Sequence, residues 1–320
     1  MKKSTRIWIF FLTLISCAAV LFSASRFRSA ETPPWRASEA GDVENPPVSQ
    51  ERIPTGAGVP FTFVSYNIRN WLVSGQNPPK SQESKNTIVS LLSNARADVI
   101  GLCEIGNLDD LAEVQAMLKA KGTDLPYSHH TGGTDSVRHL GILSRFPIVS
   151  TFSPDLKIAD KNVSMRRGIL DATVSIGENE IRFIGLHLKS KLTTPDFDER
   201  VMRMDEATHA RKHIGSVLAE NPEAMLVVYG DFNDDARSLS TRAIFGTYRT
   251  PGYMSPVHVK DSRGETWTHF YSHLDSYTRI DFVTVSKALK SHVDKSASRI
   301  IDDAQWEAAS DHRPVLVGFR

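Results

Sequence analysis

Cysteine is almost absent from this sequence: Cys17 and Cys103 are the two in 320 residues. Cys17 falls in an N-terminal apolar segment, so a domain folded downstream has no internal disulfide and must be held by its own buried core. Cys103, in Val99-Ile100-Gly101-Leu102-Cys103, reads as a small buried hydrophobe and not as a nucleophile. There is no thiolate cluster and no His-Glu-x-x-His pair, which argues against a closed structural zinc site. His129-His130 and the spaced His269 and His273 read as loop or core groups before they read as ligands.

An excess of one charge is lacking as well. The formal net charge is +1, and the first thirty residues hold Lys2, Lys3, Arg6, Arg26 and Arg28 with no acid, which leaves −4 on the rest. Nothing global draws the chain to nucleic acid, so any field that attracts phosphate must be local. Nor is there a run of the roughly 20 apolar residues that a membrane span requires. The charge-free segment from Ile7 to Phe22 has sixteen. It follows Lys2, Lys3 and Arg6 as an export signal would. Leu14-Ile15-Ser16-Cys17 resembles a bacterial lipobox, which would make Cys17 a lipidated first residue; cleavage near Ser23-Ala24-Ser25 and retention as a signal anchor are the alternatives.

What is present is a chain 40% hydrophobic and 23% charged, enough to bury a sizeable core. Residues 1–30 are assigned to the signal or anchor. Residues 31–58, with five prolines and no hydrophobic periodicity, read as a flexible tether. Residues 59–320 form the folded domain. The expectation is an exported protein that meets a membrane only through its N-terminus, with no obligate protein partner, as a monomer.

Short apolar runs predict strands at Phe61–Ile68, Asp98–Ile105, Leu140–Phe146, Ile169–Ile176, Ile181–Leu188, Ala224–Tyr229, Arg279–Ser286 and Pro314–Phe319. Helices are predicted at Gln82–Ala95, Leu108–Lys121 and Phe197–Leu218. In the last, Val201, Met204, Thr208, Arg211 and Leu218 share a face, and the charges around them read as solvated. Strands with helices at intervals fit an α/β (α+β) class, two packed sheets covered by helices.

The strands share an oddity: they end or begin in polar residues. One ends in Asn67, another in Glu104, another in His187, and another runs into Asp231 and Asn233; "RIDFVTV" opens with Arg279 and Asp281, and "SDHRPV" supplies Asp311 and His312. Alone, "SDHRPV" could be a solvated turn before a strand-opening proline. Antiparallel strands would instead bring all these groups to one edge. Glu104, Asn67 and Asp311 are hard oxygen donors of the kind Mg²⁺ takes. His187 and His312 can move protons near neutral pH.

In chain order, "SYNI", "CEI", "GLHLKSK", "GDFN", "RIDFV" and "SDHRPV" resemble the endonuclease/exonuclease/phosphatase superfamily, of the pancreatic-type deoxyribonuclease kind, over essentially all of residues 59–320. The resemblance implies a four-layer sandwich of two mixed β-sheets packed face to face and flanked by helices. It implies Mg²⁺, with Mn²⁺ or Ca²⁺ as substitutes, held chiefly by Glu104 with Asn67 and Asp311 beside it. It further implies that His312, oriented by Asp281, serves as general base or phosphate-polarising imidazole. His187 and Asn233 would hold the phosphate, and Asp231 would position the attacking water or the leaving oxygen. Arg167 aligns with a family arginine, with Arg166 competing for the role. The carboxylate and tyrosine that flank the first histidine's proton path in that kind of enzyme have no clear match between Tyr127 and Leu140, which leaves the leaving-group acid unassigned.

Lys189 and Lys191 alternate with His187 and would face the cleft, either as contacts to flanking phosphates or as solubilising charges. Trp267 could stack a base, though a core role fits tryptophan better. The expected activity is metal-dependent hydrolysis of a phosphodiester, with DNA or RNA as substrate; a lipid or sugar-phosphate head group is the alternative. A non-catalytic binding module is the third reading, and the completeness of the polar set argues against it. No long aromatic hairpin and no long basic segment marks a substrate.

Overall fold

Sequences such as Ile-Gly-Leu-Cys and Leu-Val-Val-Tyr are apolar on both faces, which suits strands covered on both sides. A computed structural model describes residues 59–72, 79–158, 163–195 and 197–320. The expected signal, the Cys17 lipobox and the tether lie outside the described residues. In chain order the strands are β1 (Phe61–Trp71), β2 (Val99–Ile105), β3 (Tyr127–Thr131), β4 (His139–Ser144), β5 (Ile148–Thr151), β6 (Ile169–Ile176), β7 (Asn179–His187), β8 (Met225–Asp231), β9 (Ser255–Pro256), β10 (His269–Tyr271), β11 (Ser276–Thr278), β12 (Asp281–Val285), β13 (Val293–Ile300) and β14 (Val315–Phe319). The helices are α1 (Gln82–Asn94), α2 (Leu108–Ala120), α3 (Glu199–Glu220), α4 (Leu239–Phe245) and the one-turn α5 (Lys287–Lys290) and α6 (Trp306–Ala309).

Two six-stranded mixed sheets result, ordered β13-β14-β1-β2-β4-β3 and β5-β6-β7-β8-β12-β9. Their facing sides make the central core: Phe63, Val99, Cys103 and Ile142 from the first sheet meet Leu170, Phe183, Val227, Tyr229 and Val283 from the second. On its outer side the first sheet packs Val64, Tyr66, Ile100 and Leu102 against Ile88, Leu92, Val114 and Leu118 of α1 and α2. The second sheet packs Ile184, Leu186, Val228 and Phe282 against Ala207, Ala210, Ile214 and Phe245 of α3 and α4. The expected four-layer α/β sandwich is therefore the fold. Among the described residues no helix is long and apolar enough to cross a membrane.

Two glycines in the strands make room at the centre of the sandwich. A Cβ on Gly101 of β2 would collide with the Tyr229 ring, and one on Gly185 of β7 would press on the same phenol. A third glycine, Gly230, has φ 126° and would drive a Cβ into the Leu186 carbonyl, so β8 can lie against β7 just before Asp231 only with glycine there.

The helix over 199–220 departs from expectation. Its buried face is Met202, Arg203, Glu206, Ala207, Ala210, Ile214, Val217 and Leu218, while Val201 is half exposed. Glu206 is fully buried because it accepts the Arg166 and Lys189 amides at 3.0 and 2.6 Å. Arg203 donates to the Lys189 carbonyl at 3.0 Å and pairs with Asp234 at 3.2 Å. These charges are not solvated; they tie the loops after β7 and β8 to the helix, which holds the ends of both strands.

Candidate active site

The end of β7, the end of β8 and the start of β12 meet in register: His187 is paired with Asp231, and Asp231 with Asp281. The antiparallel run of β12 is what brings its first residue to the last residue of β8. In the other sheet, β1 and β2 are parallel with Asn67 opposite Cys103, and β14 runs antiparallel to β1. Asn67, Glu104 and the "SDH" segment thus reach the same end. The two sheets touch there directly: Asn67 Nδ2 donates to Asp231 Oδ2 at 3.0 Å across the sandwich and to Glu104 Oε1 at 3.3 Å.

The local backbone is bent to present these groups. Glu104 has φ 64°, in the left-handed region that disfavours a residue with a side chain, and the β2–β4 ladder shifts register around it. Such backbone persists where the surroundings hold it in place. Here Glu104 Oε2 accepts the Asn70 amide at 3.1 Å. Asn233 has φ 54°, with its amide on Asp231 Oδ1 at 2.8 Å and its Nδ2 on the Leu188 carbonyl at 2.9 Å.

"SDHRPV" is no free turn. Ser310 Oγ donates to the Asn67 carbonyl at 2.8 Å and accepts the His312 amide at 3.1 Å, which locks the segment onto β1. His312 Nδ1 lies 2.8 Å from Asp281 Oδ2, and its Nε2 lies 3.7 Å from Asp231 Oδ2. His187 Nε2 stands 3.6 Å from the same Asp231 oxygen and 3.8 Å from Glu104 Oε1. Asp311 lies 3.6 Å from Arg69 Nε with its side chain partly open to solvent. Arg313, one residue further, is wholly buried, paired with Asp261 at 2.9 Å and laid on the Trp267 ring 3.3 Å from its centroid.

Burial opposes charge on His312, but the carboxylates of Asp281, Asp231 and Asp311 outweigh it and push its pKa up to about 10. Burial, together with the nearby Asp281 and Glu104, pushes Asp231 up to about 7 in spite of His312. His187 is driven well down by burial and by the charges of Arg167, His312 and Arg138, so it is a neutral imidazole. Its Nδ1 is buried with no hydrogen-bond partner.

Other expected residues are placed differently. Asn67 turns its amide nitrogen to the carboxylates while its Oδ1 accepts the Arg69 amide at 3.0 Å, so it is a clamp between Glu104 and Asp231. Lys189 is buried, its ammonium on the Ser190 and Leu192 carbonyls; Lys191 is exposed and pairs with Asp234 at 2.9 Å. Arg167 is buried 3.3 Å from Asp135, with Nε and Nη1 lacking hydrogen bonds. Burial works against the Asp135 charge, but the Val137 and Arg138 amides and the guanidiniums of Arg167 and Arg138 hold its carboxyl below the usual range. Trp267 is half-buried, edge-on to Trp306 and Tyr277, and is a platform instead of a core residue.

Sequence reasoning missed Arg69 and Arg138, and it read His269 as a loop or core group. Arg138 Nε is 3.7 Å from Glu104 Oε2, and the His269 ring lies 4.5 Å from the His312 ring. Arg138 stands in the stretch from Tyr127 to Leu140 for which no counterpart was found, and His269 in a hairpin too short to show periodicity. Arg69, beside Asn67, was legible by position alone.

The fold is a four-layer sandwich with paired histidines and carboxylates gathered at strand ends from both sheets. Residues 62–302 match the model of the Endonuclease/Exonuclease/phosphatase family, and the chain belongs to that family, whose members are phosphoesterases. The match ends before "SDHRPV", which the fold nonetheless carries into the site. Solved structures share the architecture. An endonuclease/exonuclease/phosphatase family protein from Leptotrichia buccalis C-1013-b is 18% identical with a TM-score of 0.58, over 81% of this chain and 99% of that one. Sphingomyelinase C from Streptomyces griseocarneus is 14% identical with a TM-score of 0.58, over 82% and 99%. Truncated TDP2 from Caenorhabditis elegans is 15% identical with a TM-score of 0.56, over 81% and 97%. No curated protein matches the sequence.

Proposed function

We propose that this chain is a hydrolase of phosphodiester bonds that works with a divalent cation, Mg²⁺ by preference, and that its substrate is nucleic acid. One observation carries the reading: Asp281, His312, Asp231 and His187 form a continuous line of contacts of 2.8, 3.7 and 3.6 Å, with Glu104 and Asn67 alongside. A phosphodiester repels its nucleophile, so its hydrolysis needs charge neutralisation, an activated water and a proton for the leaving oxygen.

The donor set fits a hard cation. Glu104 and Asp311 offer carboxylate oxygens with side chains still open to solvent, and the one thiol among the described residues, Cys103, is buried in the core with its Sγ turned to the Leu186 carbonyl at 3.6 Å. Glu104 and Asp311 would hold the ion. Asp231, Asp281 and His312 also lie close enough together to bind a metal, but His312 Nδ1 is already committed to Asp281. The cation would neutralise charge on the phosphate. The chain's residues do the rest: Asp281 holds the His312 ring through Nδ1 and stabilises its charged form, so its Nε2 carries a proton that can pass to the leaving oxygen. Neutral His187 presents an N–H to a phosphate oxygen, and Asp231 lies between the two imidazoles to orient the water. Asn233, with one amide hydrogen free of the Leu188 bond, adds a donor, and Arg167 supplies charge behind His187.

Nucleic acid is favoured by a file of rings leading out of the site. His269 lies against His312, Tyr271 stacks on His269 with centroids 6.4 Å apart, and His273 follows at 5.4 Å. A lipid head group is the second reading, supported by Leu274, which is 74% exposed at the tip of the same hairpin. Export, by a cleaved, lipidated or retained N-terminus, is part of the proposal and rests on the sequence of residues 1–30. Turnover of plasmid DNA, single-stranded DNA, RNA, sphingomyelin vesicles and inositol phosphates, with Mg²⁺ and with chelator, tests it. Hydrolysis of none of these would sink it, and hydrolysis of sphingomyelin alone would select the lipid.

A further inference from the structure

Glu206 is a buried titratable group that the proposed chemistry does not use. It lies on α3 with none of its surface exposed, and both of its oxygens are taken by main-chain amides: Oε1 accepts the Arg166 N–H at 3.0 Å and Oε2 accepts the Lys189 N–H at 2.6 Å. Burial pushes its pKa up, against the pull of the two amides and of the Arg167 and Arg166 charges. A carboxylate in such a place is costly to keep, which calls for a reason. Neutral side chains do not reproduce what it does. A glutamine has one oxygen for the two positions and would turn its NH₂ on the second amide, and an apolar residue would leave two buried N–H groups without an acceptor.

The two amides belong to separate loops. Lys189 stands two residues after His187 at the end of β7, and Arg166 stands beside Arg167 at the approach to β6. Arg203, one helical turn before Glu206, completes the grip: its Nη1 donates to the Lys189 carbonyl at 3.0 Å and its Nε pairs with Asp234 at 3.2 Å. The Lys189 peptide is therefore held by its N–H and by its C=O from one face of α3. Asn233, next to Asp234, donates to the Leu188 carbonyl at 2.9 Å, which joins the loop after β8 to the same knot. Each of these contacts from α3 ends one or two residues from a group assigned to the phosphate: His187, Arg167 or Asn233.

We propose that Glu206 is a positioning residue for the phosphate-holding side of the site: it sets His187 and Arg167 relative to each other by fixing the Lys189 and Arg166 amides, with Arg203 as its partner on α3. The inference rests on the phosphodiesterase reading, in which those two side chains meet the phosphate. The Asp281–His312 pair is held separately, by Ser310 on β1 and by Thr268, whose Oγ1 accepts the Asp281 amide at 3.1 Å. Loosening the grip of α3 should displace His187 and leave His312 in place.

Carbon–proton correlation spectra of the histidine rings, recorded on the full protein in EDTA without substrate, test it. The His187 and His312 signals are the ones missing from His187→Ala and His312→Ala. In Glu206→Gln the His187 signal should shift or split while the His312 signal keeps its place. Turnover of a fluorophore–quencher single-stranded DNA in Mg²⁺ should fall by up to about 10²-fold in kcat, the scale of a misplacement of about 1 Å. Combined with His187→Ala, the same substitution should cost little more than His187→Ala alone. Should Glu206→Gln not fold, Arg203→Lys releases the other end of the Lys189 peptide and should move the same signal. An unmoved His187 signal, a kcat loss of equal size with and without the His187 imidazole, or failure of both variants to fold overturns the positioning role. A wild type that cleaves no phosphodiester in Mg²⁺ overturns the parent reading instead, and the spectra still decide what Glu206 holds.

Discussion

His312 Nδ1 and Asp281 Oδ2 lie 2.8 Å apart although 31 residues separate them in the chain, and both are buried. The contact exists because β12 starts where β8 ends, and because Ser310 fixes the peptide before His312 onto β1. An imidazole so held has one nitrogen left for chemistry. His312→Ala should lower kcat by about 10²–10⁴-fold, the usual contribution of a positioned acid or base. Asp281→Asn added to it should cost little more, since residues that act as a unit are not additive. A double-mutant cycle on kcat, with folding followed by circular dichroism, reads this directly; full turnover in a folded His312→Ala protein would remove His312 from the mechanism.

Glu104 combines a left-handed backbone with a carboxylate shared among Asn67, the Asn70 amide and Arg138. Glu104→Gln keeps its shape and removes its charge. Activity in Mg²⁺ should fall by orders of magnitude while thermal unfolding shifts little. Chelator should abolish wild-type activity and Mg²⁺ should restore it. Activity indifferent to chelator would contradict a cation at this position.

Much of this site could be read in the chain because strand-end residues are positioned by registers that apolar patterns reveal. Asn67, Glu104, His187, Asp231, Asp281 and His312 all converge; His187, Asp231 and Asp281 close or open a strand that hydrophobicity made visible, Glu104 stands one residue from a strand end, Asn67 stands where the β1–β2 register breaks, and His312 just precedes β14. What escaped was polar and irregular. Strands β3, with the sequence Tyr-Ser-His-His-Thr, and β13 present no apolar stripe, and the β10–β11 hairpin is stabilised by rings stacked on one another: Phe270 on Tyr277 at 4.5 Å, with Trp306 at its edge. The orientations of Lys189 and Arg203 depend on loop carbonyls and on Glu206, partners that no local pattern specifies.

Gly101 and Gly185 face one phenol from two different sheets. Gly101→Ala should destabilise the fold by about 1–3 kcal/mol, the cost of an extra methyl in a packed core. Urea unfolding measures it. Trimming the ring by Tyr229→Leu in the same background should recover part of the loss, and an absence of any rescue would show that Tyr229 is not the obstacle.

Asp171 is buried and held by Arg182 at 2.6 Å and His213 at 2.6 Å. Burial alone would raise its pKa, but these two partners more than reverse that and hold it below the usual carboxylate range. A depressed carboxyl stabilises the fold above its unfolded pKa of about 3.9 and loses that contribution as pH falls through the lower folded value. Asp171→Asn should therefore cost about 2–3 kcal/mol at pH 7, somewhat under a fully buried pair because Arg182 is partly exposed. The gap between wild type and variant should close below about pH 4. A gap independent of pH would show that packing, not charge, is what the substitution removes.

Tyr271 sits at the outer end of the file His312–His269–Tyr271, on a hairpin whose other face is fixed by Phe270 against Tyr277 and Trp306. Removing its ring should leave the hairpin in place. If the file receives an unpaired base, Tyr271→Ala should raise KM for single-stranded DNA by about 5–150-fold, the equivalent of roughly 1–3 kcal/mol for one base–aromatic stack. KM for duplex DNA should change less, because paired bases keep their own stacking. The kcat should hold within a few-fold, since no proton passes through the phenol. A matching substitution, Leu274→Asp, separates the lipid alternative: it should weaken capture of sphingomyelin vesicles and leave single-stranded DNA untouched. If Tyr271→Ala leaves KM for single-stranded DNA unchanged, the rings only pack the hairpin against His312, and the preference for nucleic acid must come from the phosphates alone.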